Sequence, residues 1–260
     1  MRRGRSWAWF WMGLGILYFF LPLLATFMFS LRAKRGTLSF LAYQNVLHDP
    51  AFVYNFTASV IWALLTIVVG ILLFVPTAYL IRLKLPKFRA PVEFVTLLPF
   101  VIPAIVYVFS LVRTYSRPPL LIVNSPFLLI AAYTILCMPY MYSAVDTGLR
   151  AIDVRTLTEA AQSLGGGWSV ILFRIILPNI RVAILSGTFL SFAIVMGELI
   201  LAQYLVKPAF APYMAYLMQQ KAYEPAALAV ISFALTWASL GLIQIFGRGG
   251  RGQGPVAAGH

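Results

Sequence analysis

Residues 159–178 read EAAQSLGGGWSVILFRIILP, and within that stretch stand Glu159, Arg174, three consecutive glycines and Pro178. On either side the chain runs for twenty or more residues with hardly a charge. The punctuation predicts two short helices joined by a turn. Thr156 and Glu159 fit a capping box, in which a hydroxyl and a carboxylate each take up a free backbone N–H. Gly165, Gly166 and Gly167 supply a helix stop, and a second apolar stretch, WSVILFRII, ends at Leu177 and Pro178. The small residues Ala160 and Ala161 allow close approach by a partner. An amphipathic hairpin lying on a lipid surface is the competing reading.

The flanks explain why such a segment stands out. Of 260 residues, 61% are hydrophobic and 10% charged, with a mean hydropathy of +0.87. Soluble globular domains do not have this composition. Charge-free runs extend from Ser6 to Leu31, Pro50 to Ile81, Phe94 to Val112, Pro118 to Val145 and Pro225 to Gly247, and Val182 to Val206 is interrupted only by Glu198. A bilayer core of about 30 Å takes roughly 20 helical residues, so each run can span it. The runs lack the two-residue alternation of barrel strands. Six transmembrane helices are predicted, with 159–178 inside the longest connection, Asp146 to Arg181.

The formal net charge of +13 is a topology signal rather than a nucleic-acid footprint. With the amino terminus inside, the inner segments hold thirteen of the 20 basic residues: Arg2, Arg3, Arg5, Arg82, Lys84, Lys87, Arg89, Arg150, Arg155, Arg174, Arg181, Arg248 and Arg251. The bias puts both termini and the long connection in the cytoplasm. The apolar stretch after the basic start outruns a signal peptide's core of about 7–15 residues, so it reads as a retained first helix. Cys137, the one cysteine, lies in an apolar run and excludes a disulfide framework. Outer segments Arg32 to Tyr54 and Lys207 to Pro225 each have short-helix character, and the glycine-rich tail 248–260 is expected to be disordered.

Glu159-Ala160-Ala161, then Gly165, then Ile175-x-Leu177-Pro178 resembles the EAA loop of permease subunits of type I ABC importers, the binding-protein-dependent family. The resemblance runs from about Leu38 to Phe246, through LHDPAF before the second helix and LLPFVIPAIV in the third. It is similar to the polyamine, ferric iron, phosphonate and thiamine branch in particular. The triple glycine departs from the family, whose members often carry a small residue and a helix cap after the first glycine.

The resemblance implies an all-α polytopic permease with a cytoplasmic coupling-helix hairpin, in a bacterial inner membrane. It implies as partners a second permease subunit, two ATP-binding cassette subunits and an extracytoplasmic substrate-binding protein, with lipid around the helices and no nucleic acid. In the family this loop docks on the ATPase. Carried over, Glu159, Ala160, Ala161, Leu164 and Gly165 form that docking element, with Gly165 at the turn. The chain has no phosphate-binding G-x-x-x-x-G-K-[ST] loop, so no cofactor is expected on it, and ATP and magnesium belong to the partner ATPase. By domain, 1–31 is the tail and first helix, 32–54 an outer loop, 55–247 the permease core containing the loop 153–178, and 248–260 the tail.

For the solute path the candidates are Glu198, Ser191, Tyr107 and Ser110. Glu198 is the one carboxylate deep in a predicted span, roughly 24 Å from its inner end, and should face the bundle interior. Gly187, Ser191 and Ala202 share its helical face. The carboxylate reads either as a pore residue for a cation or as a structural hydrogen-bond partner. Pro99, Pro103, Tyr107, Ser110 and Thr114 form a stripe on the third helix, a path wall or a packing seam. Ser59, Ala63, Thr66 and Gly70 on the second helix read as a seam. The first solute reading is a polyamine, spermidine or putrescine. A secondary transporter or channel not driven by ATP is the alternative, disfavoured because intramembrane ionisable groups are so few. An intramembrane enzyme lacks a histidine within any span.

Overall fold

A charge-free run in hydrocarbon must satisfy its own backbone, and the apolar runs do so as helices. The computed structural model describes residues 3–34 and 36–248. The tail expected to be disordered lies, from residue 249, outside them. In chain order the helices are α1 (Arg3–Ser30), a 3-10 turn (Leu31–Ala33), α2 (Leu41–Leu47), α3 (Pro50–Leu83), a 3-10 turn (Pro86–Phe88), α4 (Arg89–Val101), α5 (Ala104–Tyr115) and α6 (Pro126–Arg150). There follow α7 (Val154–Ser163), α8 (Trp168–Val170), a π-helical stretch (Ile171–Ile176), α9 (Leu177–Asn179), α10 (Arg181–Gly197), α11 (Ile200–Tyr204), α12 (Phe210–Gln220) and α13 (Glu224–Arg248).

The six predicted runs map onto α1, α3, α4 with α5, α6, α10 with α11, and α13. Trp9–Ala33, Pro50–Leu83 and Pro126–Arg150 are unbroken and long and apolar enough to cross a membrane. The third run is broken. Pro86–Val101 and Ala104–Tyr115 meet at 99°. Pro103 cannot donate to the helical ladder and pushes the residue before it out of the helical region, so Ile102 sits at φ −88°, ψ 116°. The stripe from Pro99 to Thr114 is therefore not one helical face, and Ser110 and Thr114 are exposed. The fifth run breaks at Glu198, which leaves Ala202 on a different helix from Gly187 and Ser191. The fourth begins at Pro126, where the Ser125 hydroxyl caps the helix by accepting from the Phe127 N–H at 3.2 Å.

The described residues form two units, those within 3–55 with 213–238, and those within 56–212 with 239–248. In the first, the buried Ser30 hydroxyl meets the Tyr43 hydroxyl at 2.7 Å and Asp49 accepts from the Tyr213 hydroxyl at 2.7 Å. Asn45 reaches Glu224 at 3.1 Å.

In the second unit α10 lies along α6. The approach is close because the crossing is lined by small residues. A Cβ on Gly148 would stand 2.5 Å from that of Ala183, and one on Gly187 2.9 Å from the Met141 sulfur. Two apolar clusters result. One gathers Tyr79, Met141, Val145, Leu149, Ile176 and Ile180 with Val154, Ala161, Ile171 and Leu172 of the hairpin. The other gathers Ala63, Val108, Leu129, Tyr133, Cys137, Val195 and Leu201, so Cys137 is a buried core residue as its apolar run suggests.

Candidate functional site

The hairpin's cap lies three residues before the predicted one. Asp153, not Thr156, caps α7: its carboxylate accepts from the Thr156 N–H at 3.1 Å and from the Thr156 hydroxyl at 2.7 Å. These bonds, the backbone one foremost, hold the Asp153 carboxyl below the usual carboxylate range. Glu159, freed from the expected capping box, pairs with Arg155 one turn back at 2.9 Å. The error has a local cause. Both Asp153 and Thr156 are good capping residues, and the helix begins at the first of them.

At its other end α7 closes in a Schellman motif. The Gly166 N–H donates to the Ala161 carbonyl at 2.8 Å and the Gly165 N–H to that of Gln162 at 2.9 Å, with Gly165 at φ +76°. The left-handed angle is what calls for glycine there. The second arm then runs from Trp168 to Asn179 and meets α10 at 77°. Its centre widens into a π-helix ahead of Pro178, which has no N–H to give the Arg174 carbonyl one turn earlier.

The faces of α7 divide cleanly. Val154, Thr158 and Ala161 are buried against the chain, while Glu159, Ala160, Ser163 and Leu164 are exposed. Leu164 is 89% exposed, a bare leucine at the tip of the turn. Of the five predicted docking residues, four therefore share an open surface, and Ala161 faces inward. Beside the hairpin, three arginines converge on two carboxylates. Asp146 pairs with Arg150 at 2.6 Å, Arg82 at 3.3 Å and Arg89 at 3.8 Å, and Glu93 pairs with Arg89 at 2.9 Å and Arg150 at 3.1 Å. This cluster ties α3, α4 and α6 together. Sequence reasoning used its arginines only as topology markers; the spacing of four between Arg89 and Glu93 and between Asp146 and Arg150 was the available signal.

Glu198 sits at the break between α10 and α11. Its carboxylate accepts from the Leu201 N–H at 2.9 Å, the Ala202 N–H at 3.2 Å and the Tyr133 hydroxyl at 3.3 Å. The bonds cap the backbone donors that a helix start exposes. Ser191, fully buried on α10, offers its carbonyl to the Cys137 thiol at 3.8 Å, and its own hydroxyl has no protein partner. Tyr107 is half-buried with its hydroxyl 3.5 Å from the Ala132 carbonyl, and the exposed Ser110 hydroxyl donates to the Val106 carbonyl at 2.8 Å. Ser191 on α10 and Glu198 at the end of that helix thus both meet α6, through Cys137 and Tyr133, and Ser110 points elsewhere.

A helical polytopic membrane protein with a partly exposed hairpin between its fourth and fifth spans is the class that this fold defines. Residues 75–248 match the family described as binding-protein-dependent transport system inner membrane component, and the chain belongs to that family. It is a permease subunit of an ABC importer. A molybdate/tungstate transport system permease protein of Pyrococcus abyssi is 27% identical over 233 residues, 88% of this chain and 89% of the relative. A spermidine/putrescine transport system permease protein of Escherichia coli is 32% identical over 112 residues, 42% of each. Among solved structures, a chain of a bacterial ABC transporter involved in the import of the acidic polysaccharide alginate superposes with a TM-score of 0.70 at 17% identity, covering 94% of this chain and 96% of that one. The same fold occurs in an alginate transporter in complex with a pentasaccharide-bound periplasmic protein, with a TM-score of 0.72 at 16% identity over 97% and 98% of the two chains.

Proposed function

We propose that this permease forms half of a translocation pathway and that its hairpin, 153–178, docks on a cytosolic ATPase subunit whose closure it transmits. The observation that carries the reading is the division of α7. The Val154, Thr158 and Ala161 face is used up by the chain itself, while Glu159, Ala160 and Leu164 stand open at a rigidly closed turn. An exposed leucine beside an alanine and a charge suits a groove on a protein, where small residues admit close packing. The full assembly then comprises a second permease, two ATPase subunits and an extracytoplasmic binding protein, the last supported by the alginate transporter solved in complex with a periplasmic protein. Both termini and the hairpin are cytoplasmic, in keeping with the thirteen-to-seven basic bias.

The solute is a small charged species delivered by the binding protein. A polyamine is supported by the spermidine/putrescine relative and by Glu198 as an intramembrane carboxylate. An oxyanion is supported by the molybdate/tungstate relative and by the bonding of Glu198, whose oxygens are turned onto Leu201, Ala202 and Tyr133. Competition of radiolabelled uptake in reconstituted vesicles by spermidine or by molybdate separates the two. Docking is tested by co-purifying the ATPase with the parent chain and with Gly165→Asp. If the Gly165→Asp complex assembles and hydrolyses ATP like the parent, the hairpin is not the docking element.

A further inference from the structure

We infer that Tyr79 of α3 is a positioning residue for energy coupling, holding both arms of the hairpin to a membrane-spanning helix so that hairpin displacement moves α3. The inference rests on the docking reading above and concerns what happens after docking.

Tyr79 is fully buried. Its hydroxyl lies 2.9 Å from the Thr158 Oγ1 on the inner face of α7. Thr158 has one hydroxyl proton, and it goes to the Val154 carbonyl at 2.6 Å. Tyr79 is therefore the donor and Thr158 the acceptor, which fixes the direction of the bond. The same tyrosine ring meets Trp168, the first residue of the second arm, edge to face at 5.1 Å between centroids. One side chain thus touches both arms on either side of the Gly165 turn. Three residues on, along the same face of α3, Arg82 donates to the Leu149 carbonyl at 3.4 Å and pairs with Asp146, both on the last turns of α6. Within one turn, α3 is tied to the hairpin by a hydrogen bond and to α6 by an ion pair.

Tyr79 belongs to a buried, largely aliphatic cluster that includes Val145, Leu149, Ile171, Leu172 and Ile176. Packing alone would be served by a phenylalanine, because a buried hydroxyl gains little unless its partner requires it. Here the hydroxyl makes a specific, directional contact to the helix whose opposite face is open for docking. Such a bond between packed elements has two discrete states, made or broken, and suits a step in which the hairpin moves with its partner.

The test uses the complete transporter, with binding protein and ATPase, reconstituted in vesicles. Tyr79→Phe and, separately, Thr158→Val remove the bond while keeping shape, and Thr158→Ser keeps it. The measured quantity is the ratio of ATP hydrolysis with substrate-loaded binding protein to that without, together with the amount of ATPase bound. The ratio is expected to fall about five-fold in Tyr79→Phe and in Thr158→Val, with the ATPase still bound, and to stay at the parent level in Thr158→Ser. A parent-like ratio in Tyr79→Phe or Thr158→Val overturns the inference. So does loss of the ATPase or of membrane insertion in either, which would make Tyr79 a packing residue only. Failure of the parent chain itself to bind the ATPase is a distinct result, one that removes the docking reading and this inference with it.

Discussion

The Asp153 carboxylate holds Thr156 twice, through its backbone N–H at 3.1 Å and through its hydroxyl at 2.7 Å. This makes the start of α7 depend on one acidic side chain. Asp153→Ala should fray the first turn of the helix, whereas Thr156→Ala leaves the backbone bond and should cost less. The carboxyl is held below its usual value of 3.8. A depressed carboxylate stabilises fully above the unfolded value and loses its contribution as pH falls through the folded one. Protection of the first α7 amides against hydrogen exchange should persist at pH 5 and decline only below pH 4.

Gly165 and Gly166 fail for different reasons when substituted. Gly165 has a left-handed φ of +76° and open space at its Cβ position, so a side chain there costs backbone strain, about 1 kcal/mol. Asparagine, which tolerates that angle, should be milder than alanine. At Gly166 a Cβ would stand 2.8 Å from the Ala161 carbonyl oxygen that closes the turn. Gly166→Ala should therefore reduce ATPase co-purification more than Gly165→Asn does; equal loss in both would argue against the clash.

Val206 occupies the glycine position of a second Schellman turn. It has φ +53°, with its N–H donating to the Gln203 carbonyl at 3.2 Å and the Lys207 N–H to that of Ala202 at 2.9 Å. A β-branched residue is strained at that angle, and Val206 is 86% exposed, so little packing offsets the cost. Val206→Gly should stabilise the purified protein by about 1 kcal/mol, read as a higher midpoint of thermal unfolding in detergent. A lower midpoint would show that a partner holds the valine in place.

Asp146 is the hub of the arginine cluster, contacting Arg82, Arg89 and Arg150. Asp146→Asn leaves three guanidinium groups with Glu93 as their remaining carboxylate. Because the arginines are partly exposed, the cost should be about 2 kcal/mol rather than that of a fully buried pair. The loss should shrink in high salt, which screens the repulsion left behind. A salt-independent effect would mean that Asp146 acts through packing.

Spans and hairpin were legible because the signals are local and redundant: apolar runs of twenty residues, and a glycine triplet between two short periodic stretches. The helix breaks were less so. Pro103 is one of several prolines, and Pro22, Pro76 and Pro139 sit inside unbroken helices, so sequence alone does not say which will bend the chain. The break at Glu198 has no proline at all; its carboxylate takes the Leu201 and Ala202 N–H groups and also the hydroxyl of Tyr133, 65 positions away, a tertiary partner without a sequence signature. Tyr79 was silent for the same reason, because its partner Thr158 lies 79 positions away. Asp146 had a local signal in Arg150 four residues on, but its partner Arg82 lies 64 positions away and only packing brings the two together.

That the open face of the hairpin meets the ATPase is tested most directly at Leu164. With Cys137 replaced by alanine and Leu164 by cysteine, the tip of the turn carries the single thiol of the chain. A short thiol-to-amine cross-linker applied to inside-out vesicles should join this position to the ATPase subunit, and a membrane-impermeant maleimide added outside intact cells should leave it unlabelled. Labelling from outside, or a cross-link yield at Leu164 no greater than at the inward-facing Ala161, would contradict the account.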